Sequence, residues 1–127
     1  MFNYSAVFSG FSVKDIQEAK EFYSNVLGFS VIDNPMGILE LEIPHANNII
    51  IYPKPDHQPA VFTVLNIPVE NIDKAVDYLR LKGIEFEQYE GEIATDGKGI
   101  CRSNGNGPNI AWFKDLSGNI ISVLEEN

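Results

Sequence analysis

Ser12-Val13-Lys14-Asp15-Ile16-Gln17-Glu18-Ala19-Lys20-Glu21-Phe22-Tyr23 decides the fold, because the chain presents the pattern twice. At an offset of 56 residues, Pro68-Val69-Glu70-Asn71-Ile72, Ala75 and Tyr78-Leu79 fall on Ser12 to Ile16, Ala19 and Phe22-Tyr23. The registers close with Leu27-Gly28-Phe29 against Lys82-Gly83-Ile84. An internal repeat governs every later assignment, since each copy must be the same structural unit. Residues alternate ahead of each copy: Val7, Ser9, Phe11 and Val13 share one side of the first, and Thr63, Leu65, Ile67 and Val69 one side of the second. Period two predicts a strand in both places.

A helix follows each strand. Asp15 caps the first by accepting from the backbone N–H groups of its opening turn, with Glu18 as capping-box partner. Ile16, Ala19, Phe22, Tyr23 and Val26 then form an apolar stripe, and Gly28 supplies the left-handed stop. In the second copy Asn71 is the cap, Ile72, Ala75, Val76 and Leu79 the stripe, and Gly83 the stop. Strand signals follow at Phe29 to Ile32, Gly37 to Ile43 and Asn48 to Tyr52. In the second copy they fall at Glu85 to Tyr89, Lys98 to Cys101, Asn109 to Lys114 and Asn119 to Glu125. Asp115-Leu116-Ser117-Gly118-Asn119-Ile120-Ile121-Ser122 matches Pro44-His45-Ala46-Asn47-Asn48-Ile49-Ile50-Ile51 at an offset of 71, as two tight turns between antiparallel strands. The organisation is one α+β domain of two tandem βαβββ modules, about 1–52 and 60–127, joined by a proline-rich linker over 53–59. Residues 90–108 carry four glycines after Gly91 and read as a mobile loop.

Composition narrows the function. The 127 residues carry 9 Lys plus Arg against 18 Asp plus Glu, a net charge of −9. That acidity is spread over both halves, so neither nucleic acid nor an anionic membrane is expected as a partner. Hydrophobic residues at 44% fit a globular chain, and no apolar run approaches a membrane span. Cys101 is the one cysteine and no signal-peptide pattern opens the chain, so a cytoplasmic location is expected.

The repeated unit, with Asp-Ile-x-x-Ala-x-x-Phe-Tyr from Asp15, Val-Leu-Gly-Phe from Val26 and Asp-Leu-Ser-Gly-Asn from Asp115, resembles the vicinal oxygen chelate superfamily of glyoxalase I, bleomycin resistance proteins, fosfomycin-modifying enzymes and extradiol dioxygenases. The resemblance covers nearly the whole chain. It implies curved mixed sheets enclosing a cleft, often in a homodimer. In the enzymes it implies a divalent metal held by one side chain early in the first strand and one in the last strand of each module. Counting from Val13 and Val69 places Phe8 and Val64 at the first-strand positions, and the terminal turn places Ser122 and, at the offset of 71, Ile51 at the others. A divalent ion requires carboxylate or imidazole ligands, so neither metal nor cofactor is expected. Alternation puts Val7, Phe11 and Val13 toward the helix, and Ala6, Phe8 and Gly10 toward the cleft. By the same count Ile49 and Ile51, Phe62, Val64 and Asn66, and Ile120, Ser122 and Leu124 face the cleft. An apolar floor with Asn66 and Ser122 as polar handles suits an organic ligand; packing within the chain or against a second subunit is the equal alternative.

Other candidates carry simpler readings. His45 in a turn and His57 in the linker read as solvated loop histidines. Glu40 and Glu42 alternate with Leu39, Leu41 and Ile43 and read as the charged solvent face of an edge strand. Cys101 has no activating base assigned by motif and reads as a buried thiol. Of Trp112 and Phe113 one must face the cleft, where Trp112 is the candidate aromatic wall, although core packing is the commoner fate. The Gly97-Lys98-Gly99 and Gly105-Asn106-Gly107 stretches lack phosphate-loop spacing. The expected ligand-binding set is Phe8, Ile51, Phe62, Val64, Asn66, Trp112 and Ser122, in a metal-independent protein similar to the bleomycin resistance branch. It binds a small organic molecule, for which the acidic balance suits a cation. The alternative is a glyoxalase-type lyase, isomerase or dioxygenase with a non-standard metal site or none.

Overall fold

A computed structural model describes residues 1–126, which fall into two compact units, 1–59 and 60–126. In the first, β1 (Gly10–Val13), α1 (Ile16–Glu21), β2 (Val31–Asn34), β3 (Ile38–Leu41) and β4 (Ile49–Pro53) follow in order. They give a mixed sheet of order β1-β4-β3-β2, with β1 parallel to β4 and the remaining pairs antiparallel. Glu18 N–H donates to Asp15 Oδ1 at 3.0 Å, the N-cap read from sequence. Past Glu21 the helix widens into a π-helical turn over Phe22–Val26 that ends at Gly28 with φ 81°. Tyr23, on that turn and fully buried, has the rings of Phe11, Phe22 and Phe29 around it. With Val13, Leu39, Leu41 and Ile51 they form the core under the helix.

The second unit repeats this arrangement with β5 (Thr63–Pro68), α2 (Ile72–Leu81), β6 (Ile100–Cys101), β7 (Asn109–Lys114) and β8 (Ile120–Glu125), in the sheet order β5-β8-β7-β6. Asn71 Oδ1 accepts from Lys74 N–H at 3.0 Å, and Gly83 takes φ 95° at the helix stop. Ile72, Val76 and Leu79 of α2 cover Ile100, Ala111, Phe113, Ile121 and Val123. The terminal turn is held from within: Asp115 is buried, its Oδ1 accepts from Ser117 N–H and Asn119 N–H, both at 2.9 Å, and its Oδ2 accepts from Asn119 Nδ2 at 3.0 Å.

Four sequence expectations change. First, β1 begins at Gly10, and Val7, expected against the helix, is 71% exposed ahead of it. Second, Glu85 to Tyr89 forms no strand; its pairing is the single bridge of Phe86 with Phe113, with Glu87 N–H donating to Trp112 O at 2.8 Å. Third, the glycine-rich segment is anchored rather than free along part of its length. Asp96 Oδ1 accepts from Lys98 N–H at 2.9 Å and Ile100 N–H at 3.0 Å, while Lys98 and Arg102 pair with Asp73 on α2. Fourth, β3 lies between β4 and β2, so the strand bearing Glu40 is not an edge.

Candidate functional site

Pairing registers settle which side chains share a face. In the first sheet Phe11 and Leu39 both pair with Ile51, and Gly10 and Glu40 both pair with Ile50. In the second, Asn66 and Trp112 both pair with Ser122, and Ile67 and Ala111 with Val123. Ile50 is therefore the counterpart of Ser122, and the final strands correspond at an offset of 72, one more than the terminal-turn match suggested. The consequence is a correction. Ile51, expected in the cleft, is fully buried among Phe11, Leu39 and the helix, and Ile50 takes its place on the face turned away from α1. A slip of one residue exchanges the two faces of a strand.

On that face the first unit holds an open pocket of about 450 Å³ whose lining includes Phe8, Glu40, Ala46, Asn47, Asn48 and Ile50. Phe8 precedes β1 and is 65% exposed. Its backbone is fixed on both sides: Asn47 Nδ2 donates to Val7 O, and Ile50 N–H donates to Ser9 O at 3.1 Å. Glu40 is half-buried. Its Oε2 accepts from Asn34 Nδ2 at 3.0 Å and its Oε1 from Asn48 Nδ2 at 3.1 Å. Those amides, Asn34 foremost, hold its pKa below the usual carboxylate range against a small opposing effect of burial. Local periodicity reads Glu40 as part of a charged edge face, because only strand order, which periodicity does not carry, places it inside the sheet. Glu42 lies beyond β3 and accepts from Ser30 Oγ at 2.5 Å.

The second unit presents different chemistry on its equivalent face. Ser122 is buried and donates to Asn66 Oδ1 at 2.6 Å. Trp112, half-buried, meets Tyr89 edge-on at 5.3 Å, while Phe113 goes to the core against Phe86. Val64 sits at a bulge where β5 shifts register against β8, and Phe62 is 67% exposed just before the strand. Elsewhere, His57 is half-buried and hydrogen-bonded through Nδ1 to Ser12 Oγ at 2.6 Å, so it is a tether between linker and β1 and not a solvated histidine; His45 is exposed in its turn at φ 63°. Cys101 is half-buried and forms no disulfide.

At the positions where the resemblance implies metal ligands, the residues present do not fit a metal. Phe8 and Ile50 in the first unit and Val64 in the second offer no donor atom, and the Ser122 hydroxyl is committed to Asn66. Among the described residues no group of three or more His, Cys, Asp or Glu side chains is placed to hold an ion.

Two mixed four-stranded sheets, each crossed by one helix and each built as βαβββ, define the class of tandem βαβββ proteins. The family model for the Glyoxalase/Bleomycin resistance protein/Dioxygenase superfamily matches residues 6–123, and the chain belongs to that superfamily. Solved structures are similar in fold at low identity. A protein from Bacillus anthracis placed in the glyoxalase family has a TM-score of 0.73 at 20% identity, with all of both chains covered. TnmS3, an antibiotic binding protein from Streptomyces sp. CB03234, has 0.72 at 19%, covering 100% of this chain and 99% of that one. A superfamily member from Sphaerobacter thermophilus has 0.70 at 22%, with 98% of each covered. No curated protein matches the chain significantly.

Proposed function

We propose that the chain binds a small organic molecule without the help of a metal ion. The observation that carries this reading is the filling of the family's metal-ligand positions by Phe8, Ile50, Val64 and a Ser122 already bonded to Asn66. Such positions supply apolar burial for affinity and few polar groups for orientation, the makeup of an organic-ligand pocket. In this reading each unit offers contacts on its own sheet: Phe8 and Ile50 on the first, and Phe62, Val64, Asn66, Trp112 and Ser122 on the second. An antibiotic binding protein among the proteins of similar fold supports it.

Calorimetric titration with a panel of aromatic and cationic metabolites and antibiotics tests the proposal, and saturable binding is expected. Near-stoichiometric Zn, Ni, Mn or Fe in protein purified without chelator overturns it in favour of a glyoxalase-type lyase, isomerase or dioxygenase. The same reading carries a homodimer and a cytoplasmic location. Exposed Met1, Phe2 and Tyr4 support the first as apolar surface available for burial, and light scattering checks it. Among the described residues no helix is long and apolar enough to cross a membrane.

A further inference from the structure

We infer that the pocket on the first sheet takes an organic cation, an ammonium or amidinium on a flat apolar body, with Glu40 as its counter-ion; this rests on the small-molecule reading above and names the chemistry of the ligand. Three observations lead there. The first is the company Glu40 keeps. Two carboxylates of this unit have cations: Asp33 has Lys20 at 2.5 Å and Asp56 has Lys54 at 2.8 Å. Glu40 has two neutral amides instead, one on each oxygen. An ionised carboxylate accepts about four hydrogen bonds. Two are used, so capacity remains on both oxygens, and the negative charge stands uncompensated beside a cavity. The amides orient the group and keep it ionised without neutralising it.

The second observation is what stands beside the charge. Phe8, Ile50 and Ala46 give the pocket apolar and aromatic walls, and Phe8 is held in place by the backbone bonds at Val7 and Ser9. A ring and a carboxylate lining one pocket suit a cation twice over, because the ring face attracts positive charge and the carboxylate pairs with it. The third is size and field. A volume of about 450 Å³ holds a molecule of two or three rings, within the range of about 300–1,000 Å³ typical of ligand sites. The net charge of −9 repels anions from the site and draws cations toward it. A lone carboxylate among amides and apolar groups is no chelate, so an organic cation fits and a divalent ion does not.

The test is a shape-matched pair, biphenyl-4-carboxamidine and its neutral analogue biphenyl-4-carboxamide, titrated into the wild-type chain and into Glu40→Gln. The amidine is expected to bind wild type at least tenfold more tightly than the amide, with its affinity falling as salt rises. Glu40→Gln is expected to abolish that preference while leaving the circular dichroism unchanged and binding of the amide within about twofold. In amide NMR spectra the amidine is expected to move the Asn34 and Asn48 side-chain signals. Equal binding of the two probes, or an amidine affinity unchanged in Glu40→Gln, overturns the cation assignment and leaves the small-molecule reading standing. Failure of both probes and of the wider panel to saturate overturns both.

Discussion

Replacing Ile51 and Ile50 in turn by alanine separates the two faces of β4 more sharply than any other pair of substitutions. Ile51 is fully buried, in register with Phe11 and Leu39, whereas Ile50 is half-exposed beside Gly10 and Glu40. Ile→Ala removes three carbons, worth about 2.4 kcal/mol of transfer free energy at ~0.8 kcal/mol per methylene. At position 51 the helix and flanking strands prevent full collapse, and a residual cavity brings the expected loss to about 3–4 kcal/mol. At position 50 solvent fills the space, and about 1 kcal/mol or less is expected. For a chain of this size a urea m-value of about 1.5–2 kcal/mol/M converts these losses into midpoint shifts of about 2 M and about 0.5 M. Binding is expected to show the reverse order, with Ile50→Ala weakening the ligand and Ile51→Ala affecting it only through stability. Equal midpoint shifts, or a larger shift for Ile50→Ala, would refute the assignment of faces and with it the equivalence of Ile50 and Ser122.

Three further outcomes follow from local geometry. Gly99→Ala is expected to cost about 2 kcal/mol or more, read by urea unfolding, because φ is +87° there and the new Cβ falls 2.7 Å from Phe86 Cβ, next to the Phe86–Phe113 ring pair. Asp115→Ala leaves the Ser117 and Asn119 N–H groups without their acceptor in a buried turn, and thermal unfolding is expected to register about 2 kcal/mol. The third concerns acid. The Arg102 guanidinium, then Lys98, holds the Asp73 carboxyl well below its ordinary range, so the unfolded chain takes up the proton first. The stabilisation is present above about pH 4 and lost as pH falls below that. Both ends are partly exposed, which limits it to on the order of 1 kcal/mol. Arg102→Ala is expected to be less stable than wild type by that amount at pH 7, with the gap closing toward pH 2; a gap that stays constant with pH contradicts the pairing.

Helix ends, helix stripes and strand count in the first unit were readable because each rests on neighbours in sequence. Asp15 and Asn71 cap where the spacing put them, and Gly28 and Gly83 take the positive φ expected of a helix stop. The phase of β4 was not readable, for a physical reason: Ile49-Ile50-Ile51 is a continuous apolar run, and a run without polar members has no period-two signal to say which residue faces the helix. Only pairing with Phe11 and Leu39, distant in sequence, fixes it. The same limit hid Glu40. Its alternation with Leu39 and Leu41 is the same whether the strand lies at an edge or inside the sheet, and the amides that meet it come from β2 and from the segment before β4.

The register also shows how the two copies have parted. The cross-strand row Gly10–Ile50–Glu40 in the first unit corresponds to Asn66–Ser122–Trp112 in the second. In the second row the polar pair is satisfied internally, since the Ser122 hydroxyl is spent on Asn66. In the first row the glycine leaves no side chain beside Ile50, and a Cβ there would come within 2.9 Å of Ile50 O. The carboxylate at the far end keeps accepting capacity that no cation of its own unit takes up. On the proposed reading, charge recognition belongs to the first copy, where Phe8 and Glu40 line one pocket, and the Trp112 contact belongs to the second. Gly10→Val tests the division: a branched side chain beside Ile50 is expected to weaken amidine binding to the first unit together with a stability loss of about 1–3 kcal/mol. Trp112→Ala, on the other copy, is expected to leave the preference for amidine over amide intact. Loss of that preference in Trp112→Ala would place the charge-reading group outside the first sheet.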